Sequence, residues 1–213
     1  MQKSFLTFLS RRLTLPLPGS EAQNKMRPYP KSYKNPTFKS YSPKSDSYRN
    51  SSVLALFLNW KNEPEILLTL RTTGIKHGGQ ISFPGGGQEG NETHEETALR
   101  EAYEETGLVE ENVQLLGRLS PLYVDHSNNM VTPVVGFLDI EQKFQANPNE
   151  VDEIFSVPIS KLSGDHFLRK EEWPLRETSY VVPFWDVHRV PLWGATSMML
   201  SELVVLHDEW LNT

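Results

Sequence analysis

The chain has 213 residues, with 21 Lys and Arg against 27 Asp and Glu, a net charge of −6 at pH 7 and no cysteine. This length suits one domain with an appendage, and the acidic balance argues against general nucleic-acid binding, which needs basic surface. The missing thiols exclude disulfides, zinc–thiolate sites and a cysteine nucleophile.

In chain order, residues 5–13 are expected to form a helix stopped by Pro16, Pro18 and Gly19. The first fifteen residues are basic, free of acids and somewhat amphipathic through Phe5, Leu6, Phe8, Leu9 and Leu13. They lack the apolar segment of a secretory signal, and no run in the chain has the length of a membrane span. The expectation is a cytoplasmic protein without a membrane partner, a mitochondrial presequence being the alternative. Residues 20–51 are rich in Lys, Ser, Tyr, Asn and Pro without periodicity, which reads as an irregular wrap. Arg27, Lys31, Lys34, Lys39, Lys44 and Arg49 are placed either to border an anionic substrate or to remain a solvated tail. The segment is also a candidate contact for a homodimer. Residues 1–50 are therefore set apart as a helical and irregular extension, and residues 51–213 as the main domain.

That domain opens with apolar runs at 53–58 and 66–71 around Asn62-Glu63-Pro64, a hairpin signal. A short strand at 80–83 leads into a tight glycine-rich turn, Phe83-Pro84-Gly85-Gly86-Gly87, which lets backbone approach a ligand or a neighbouring carboxylate closely. A helix follows. Thr93-x-x-Glu96 fits a capping box and Gly107 suits the left-handed residue past its end. Further strands are expected at 113–119, 131–138, 153–157, 180–187 and 189–193, with a helical turn at 159–163. Thr196 or Ser197 is expected to cap a last helix with an apolar stripe of Met199, Leu200, Leu203, Val204, Leu206 and Trp210. Strands before, between and after two long helices imply an α/β (α+β) domain, a mixed sheet sandwiched between helices.

The helix from 93 to 107 carries the chemistry. Residues three and four apart are surface neighbours, so Glu101 lies beside both Glu104 and Glu105. Carboxylates so placed repel one another unless a hard divalent cation sits among them. Mg²⁺ takes oxygen ligands and is often held by few carboxylates plus substrate phosphates.

The spacing G-x5-E-x7-R-E-U-x-E-E-x-G-U, with U apolar, is the Nudix box. Residues 86–108 fit every specified position with Ala102 and Leu108 as the apolar ones. The chain resembles a Nudix hydrolase. The resemblance implies the Nudix fold and a loop–helix–loop that binds Mg²⁺ or Mn²⁺ to activate a pyrophosphate. Glu101 and Glu105 would be the main metal ligands and Glu104 a further one, direct or through water. Arg100 would orient the carboxylates, and Glu92 would brace the loop.

Upstream, Leu67-Leu68-Thr69-Leu70-Arg71-Thr72 and His77-Gly78-Gly79-Gln80-Ile81-Ser82-Phe83-Pro84-Gly85-Gly86 are similar to the extra signature of the coenzyme A diphosphatases within that family. Thr72 replaces the usual serine, and Gly74 stands where larger residues are more common. The likeness continues at 131–137, 149–158 and 193–196. It implies hydrolysis of coenzyme A or acyl-CoA to 4′-phosphopantetheine and adenosine 3′,5′-bisphosphate. Arg71, His77 and Lys76 would place donors around the substrate's anions, with Gly85 and Gly86 in the binding loop. Glu150 is the candidate general base, with Asp152 and Glu153 in reserve. Two rival readings stand beside this one. One is a Nudix hydrolase of another nucleoside diphosphate derivative, such as ADP-ribose or NADH. The other is a non-catalytic ligand-binding module, which the intact set of box carboxylates disfavours.

Overall fold

The computed structural model describes residues 2–33, 36, 38, 43, 47–58, 63–74, 78–175 and 177–213. Lys34, Lys39, Lys44, Lys76 and His77, all named above, lie outside the described residues. No helix among the described residues is long and apolar enough to cross a membrane.

Helix α1 (Gln2–Arg12) is followed by the short α2 (Ser20–Gln23), a 3-10 turn (Asn24–Met26) and the two-residue strand β1 (Tyr29–Pro30). Then come β2 (Arg49–Leu58), β3 (Glu65–Arg71), β4 (Ile81–Ser82), β5 (Gly85–Gly87) and α3 (His94–Thr106). The second half contains β6 (Val113–Arg118), β7 (Leu122–Val124), β8 (Asn129–Leu138), β9 (Val151–Pro158), β10 (Leu168–Leu175), β11 (Thr178–Trp185) and α4 (Gly194–Leu211).

The main sheet runs β4-β3-β2-β8-β6, with β5 also on β2, β7 on β8 and β9 on β3. β2 and β8 lie parallel from Arg49↔Asn129 to Leu58↔Leu138, and the other pairs are antiparallel. This pair is covered on both faces, and so both strands read as near-continuous apolar runs. On one face Leu54, Leu56, Leu58, Leu67, Val134 and Leu138 pack against Ala98, Ala102 and Leu108. The two alanines let α3 sit close to the strands. On the other face Ala55, Phe57, Ile66, Leu68 and Val135 share a core with Phe5 and Leu9 of α1 and Met199, Leu203 and Leu206 of α4. The mixed sheet between helical layers is thus present as expected.

Phe5, Leu6, Leu9 and Met26, ahead of the main sheet in the chain, are built into this core. Phe5 is fully buried, with its ring centroid 5.6 Å from Phe57, 5.1 Å from His207 and 5.2 Å from Trp210. Arg12 holds Glu209 through two hydrogen bonds of 2.6 and 3.2 Å. The buried Glu202 carboxylate accepts from the Gly19 N–H at 2.6 Å and from the Ser120 N–H and hydroxyl at 3.0 and 2.8 Å. A buried charge is tolerated when its lone pairs are filled in this way.

Several local expectations are corrected. The hairpin of β2 and β3 closes only at Phe57↔Ile66 and Leu58↔Glu65. The strands then part, β3 to pair with β4 and β2 with β5, while β9 runs along the other edge of β3 from Glu65 to Arg71. Residues 85–87 form strand β5 rather than a turn. Residues 189–193 are not a strand and contribute one bridge, Trp185↔Leu192. α4 is capped at Trp193 rather than at Thr196 or Ser197. Those two hydroxyls point elsewhere, donating to the Ile81 and Gly194 carbonyls. β10, absent from the sequence reading, pairs with β11 from Leu168↔Trp185 to Leu175↔Thr178, and β1 extends this small sheet.

Candidate active site

Helix α3 is positioned by its ends. Thr93 Oγ1 accepts from the Glu96 N–H at 3.2 Å, and Glu96 Oε2 accepts from the Thr93 N–H at 2.7 Å, which completes the capping box. Gly107 takes the left-handed conformation at φ 66° and closes the other end onto the Tyr103 carbonyl. From there the chain is tied to the loop before β9. The N–H groups of Gln145 and Asn147 donate to the carbonyls of Thr106 and Glu105, and the Thr72 N–H donates to the Glu150 carbonyl. The end of β3, the end of α3 and the acidic loop are thereby held together.

Strand β5 supplies the floor. A Cβ on Gly86 would stand 2.3 Å from Glu101 Oε2, and one on Gly85 would stand 2.4 Å from the Ser52 carbonyl oxygen. Gly85 also has φ 151°, which side-chain-bearing residues rarely adopt. Gly85→Ala is therefore expected to destabilise the fold by about 2–4 kcal/mol, because its obstacle is backbone. Gly86→Ala pushes aside a side chain and is expected to cost activity more than thermal midpoint. Thermal melts and rates on the two variants check this contrast.

The carboxylates differ sharply. Glu105 is 1% exposed. Its Oε1 accepts from Arg71 Nη1 at 3.1 Å and its Oε2 from the Gly85 N–H at 3.2 Å. Burial pushes its carboxyl up to about 7 against the pull of Arg71 and of that N–H. Glu101 is half-buried and is also pushed up, mainly by burial, with Arg100 opposing. A smaller upward push on both carboxyls comes from the charge of Glu150. Glu104 is exposed and sits 3.4 Å from Arg100 Nη1.

Arg100 is the hub. It donates to Glu92 through Nε and Nη2 at 2.6 and 3.1 Å, to Glu101 at 3.0 Å and to the Gly87 carbonyl at 2.9 Å. Its pKa is raised above the ordinary arginine value by Glu92 first and then Glu101, partly offset by burial. The hydrogen bond from Arg100 holds the Glu92 carboxyl down at about 2, helped by the Glu89 N–H. Glu92 also accepts from the Thr97 hydroxyl at 2.9 Å. Arg100 and Glu92 thus form a fork that fixes the loop to the helix.

Among the described residues no three His, Asp or Glu side chains converge as a ready-made cation cage. The donor set nevertheless fits a hard divalent cation of the Mg²⁺ or Mn²⁺ kind. Glu101 and Glu105 are oxygen donors whose charged forms are disfavoured by burial and by Glu150. A cation completed by water and substrate phosphates relieves that deficit.

A cleft of about 650 Å³ opens beside this cluster. Arg71 belongs to both, touching Glu105 and lining the cleft. The walls include Tyr180 and Leu175 from the small sheet, Trp193 before α4, and Met199. The sequence marks Met199 as part of a core stripe, Tyr180 as strand and Trp193 within the 193–196 likeness, none of them as a cleft wall, because the cleft joins segments far apart in the chain.

Comparison with known proteins agrees with this geometry. The NUDIX domain profile matches residues 48–179. The chain is 37% identical over 164 residues to the uncharacterized Nudix hydrolase NudL of Photorhabdus laumondii, covering 75% of this chain and 85% of that one. It is 39% identical over 122 residues to the peroxisomal coenzyme A diphosphatase NUDT7 of Mus musculus, covering 56% of this chain and 49% of that protein. The fold is similar to that of the Nudix hydrolase RenU of M. smegmatis, with a TM-score of 0.56 at 17% identity over 76% of this chain and 87% of that one. The chain belongs to the Nudix hydrolases. It is a pyrophosphohydrolase of a nucleoside diphosphate derivative, in a family that generally uses divalent ions such as Mg²⁺ or Mn²⁺.

Proposed function

We propose that the substrate is coenzyme A or an acyl-CoA, cut at its pyrophosphate to give 4′-phosphopantetheine and adenosine 3′,5′-bisphosphate. The observation that carries this reading is the position of Arg71, at once on the buried Glu105 and in the wall of the cleft. Arg71 lies in the segment similar to the coenzyme A diphosphatase signature, and the mouse enzyme of that name is among the relatives.

Glu101 and Glu105 would hold the divalent ion, with Glu104 contributing at the exposed side. When bound, the ion supplies a lowered pKa for water and charge neutralisation on the bridging phosphates. Arg71 offers a planar pair of donors to a phosphate. Glu150, whose loop is bonded through its backbone to the ends of β3 and α3, would take the proton of the attacking water. Arg100 keeps Glu101 and the Gly87 carbonyl in register, so that positioning and charge stabilisation carry most of the catalysis. The cleft receives the arm of the substrate that extends from the diphosphate past Arg71.

Rates with Mg²⁺ or Mn²⁺ on coenzyme A, 3′-dephospho-coenzyme A, ADP-ribose and NADH test the reading. A clear preference for coenzyme A is expected. Equal or faster turnover of ADP-ribose or NADH would assign the enzyme to another nucleoside diphosphate derivative, and no turnover of any would point to a binding module.

A further inference from the structure

Strand β2 carries a pattern that the catalytic cluster does not use. Side chains alternate across a strand, so Arg49, Ser51 and Val53 share one face, while Ser52 and Leu54 face α3. Val53 lies in the wall of the apolar cleft. Ser51 and Arg49, further toward the start of the strand, line a second, polar pocket of about 390 Å³ with Asn129, Ser127, Gly87 and Gln88. The two hollows meet at Ser127 and Asn129. A single trough therefore runs along β2, apolar at Val53 and cationic at Arg49.

The polar end is built rather than incidental. Arg49 Nη2 donates to the Ser127 carbonyl at 2.9 Å, and the Arg49 N–H donates to the Asn128 carbonyl at 3.0 Å. Asn128 takes a left-handed conformation at φ 47°. It is locked by the Tyr123 hydroxyl at 2.8 Å and by its own bond to the Ser47 carbonyl at 2.8 Å. Ser51 and Asn129 are joined side chain to side chain at 2.9 Å. Strand β5 runs alongside, with Gly87 opposite Ser51 and Gly85 opposite Val53. The pocket thus begins one residue from Gly86, where Glu101 sits.

We infer that Arg49, Ser51 and Asn129 form a subsite for a phosphomonoester on the ribose of the substrate, the 3′-phosphate. The inference rests on the coenzyme A reading above and deepens it. The 3′-oxygen and the 5′-diphosphate are separated by one sugar ring, so an anion at the 3′ position falls next to whatever holds the diphosphate. A planar guanidinium fixed on one side by a backbone carbonyl presents its remaining N–H groups in a defined direction. Beside it the second N–H of the Asn129 amide supplies a neutral donor, and the Ser51 hydroxyl, which donates to Asn129 Oδ1 at 3.1 Å, can supply another by turning away. Such a subsite explains how an acidic protein separates coenzyme A from nucleoside diphosphates that end in a bare ribose.

Calorimetric titration of the full chain with adenosine 3′,5′-bisphosphate and with adenosine 5′-monophosphate, both in Mg²⁺, tests it without turnover. The wild type is expected to bind the bisphosphate about tenfold or more tightly than the monophosphate, the scale of a charge-assisted contact. Arg49→Gln should bring that ratio to within about twofold while leaving monophosphate affinity unchanged, and Arg49→Lys should keep part of it. A ratio that survives in Arg49→Gln, or that is absent in the wild type, overturns the subsite. Rates on coenzyme A and its 3′-dephospho form are read separately. Turnover of coenzyme A with the ratio intact in Arg49→Gln sinks the subsite alone, and no turnover with a ratio that collapses sinks the substrate reading alone.

Discussion

Replacing Glu105 by Gln is expected to lower kcat by roughly a thousandfold, the scale on which single charge-stabilising groups act in water-excluded sites. The amide is nearly isosteric and still offers an oxygen to the Gly85 N–H, so the helix and β5 keep their places. What disappears is the negative charge at the least accessible point of the cluster. Glu101→Gln is expected to behave similarly, because its carboxylate lies against Gly86. Glu104→Gln should cost much less, since that side chain is exposed and lies 3.4 Å from Arg100. Steady-state rates at saturating Mg²⁺, with circular dichroism as the check on folding, decide this. A near-native rate for Glu101→Gln or Glu105→Gln would show the ligand assignment to be wrong.

The second large effect concerns the metal-free protein. Glu105 is held at about 7 in the folded state against an ordinary value of 4.5, burial being the main cause. A carboxyl raised in this way favours the folded state most when protonated. Its stabilisation is complete below about pH 4.5 and is lost as pH rises through about 7. The difference is worth about 3 kcal/mol as an order of magnitude. Without metal, the thermal midpoint is therefore expected to fall between pH 5 and pH 8, and Glu105→Gln should flatten that fall. Mg²⁺ should restore the midpoint at pH 8, because a ligand that binds only the folded state stabilises it. Glu92 acts in a separate window. Its lowered carboxyl supports the fold above about pH 4.5 and loses that contribution as pH falls toward 2. Calorimetric scans with and without chelator measure both, and parallel pH profiles for wild type and Glu105→Gln would refute the account.

Local chemistry explains what the sequence disclosed. The box helix was legible from Thr93 to Gly107 because capping is written in a few adjacent residues. The central strands were legible because burial on two faces leaves apolar runs. Strand β5 was hidden, since three glycines carry no strand propensity. Only its pairing with Ser51, Ser52 and Val53 of β2 makes it a strand. β10 was hidden by its charges, Arg169, Lys170, Glu171 and Glu172, all exposed. Only its ladder with β11 makes it a strand. Val190 and Leu192 imitate strand alternation, yet the backbone there makes one bridge. Arg71 could be named in advance from its motif, whereas its bond to Glu105 spans 34 positions and required the fold. The polar half of the trough was unreadable for the same reason, because Arg49 and Asn129 become neighbours only through parallel pairing of β2 with β8.

The burial of Phe5 has a practical corollary for anyone trimming this protein. The recognisable domain begins near residue 48, which invites a shortened version starting there. Such a cut would strip a phenyl ring from among Phe57, His207 and Trp210 and remove the Gly19 N–H from the enclosed Glu202 carboxylate. The family profile marks the recognisable domain, while the hydrophobic interior already includes Phe5, and a shortened enzyme would be left with a hole in its core.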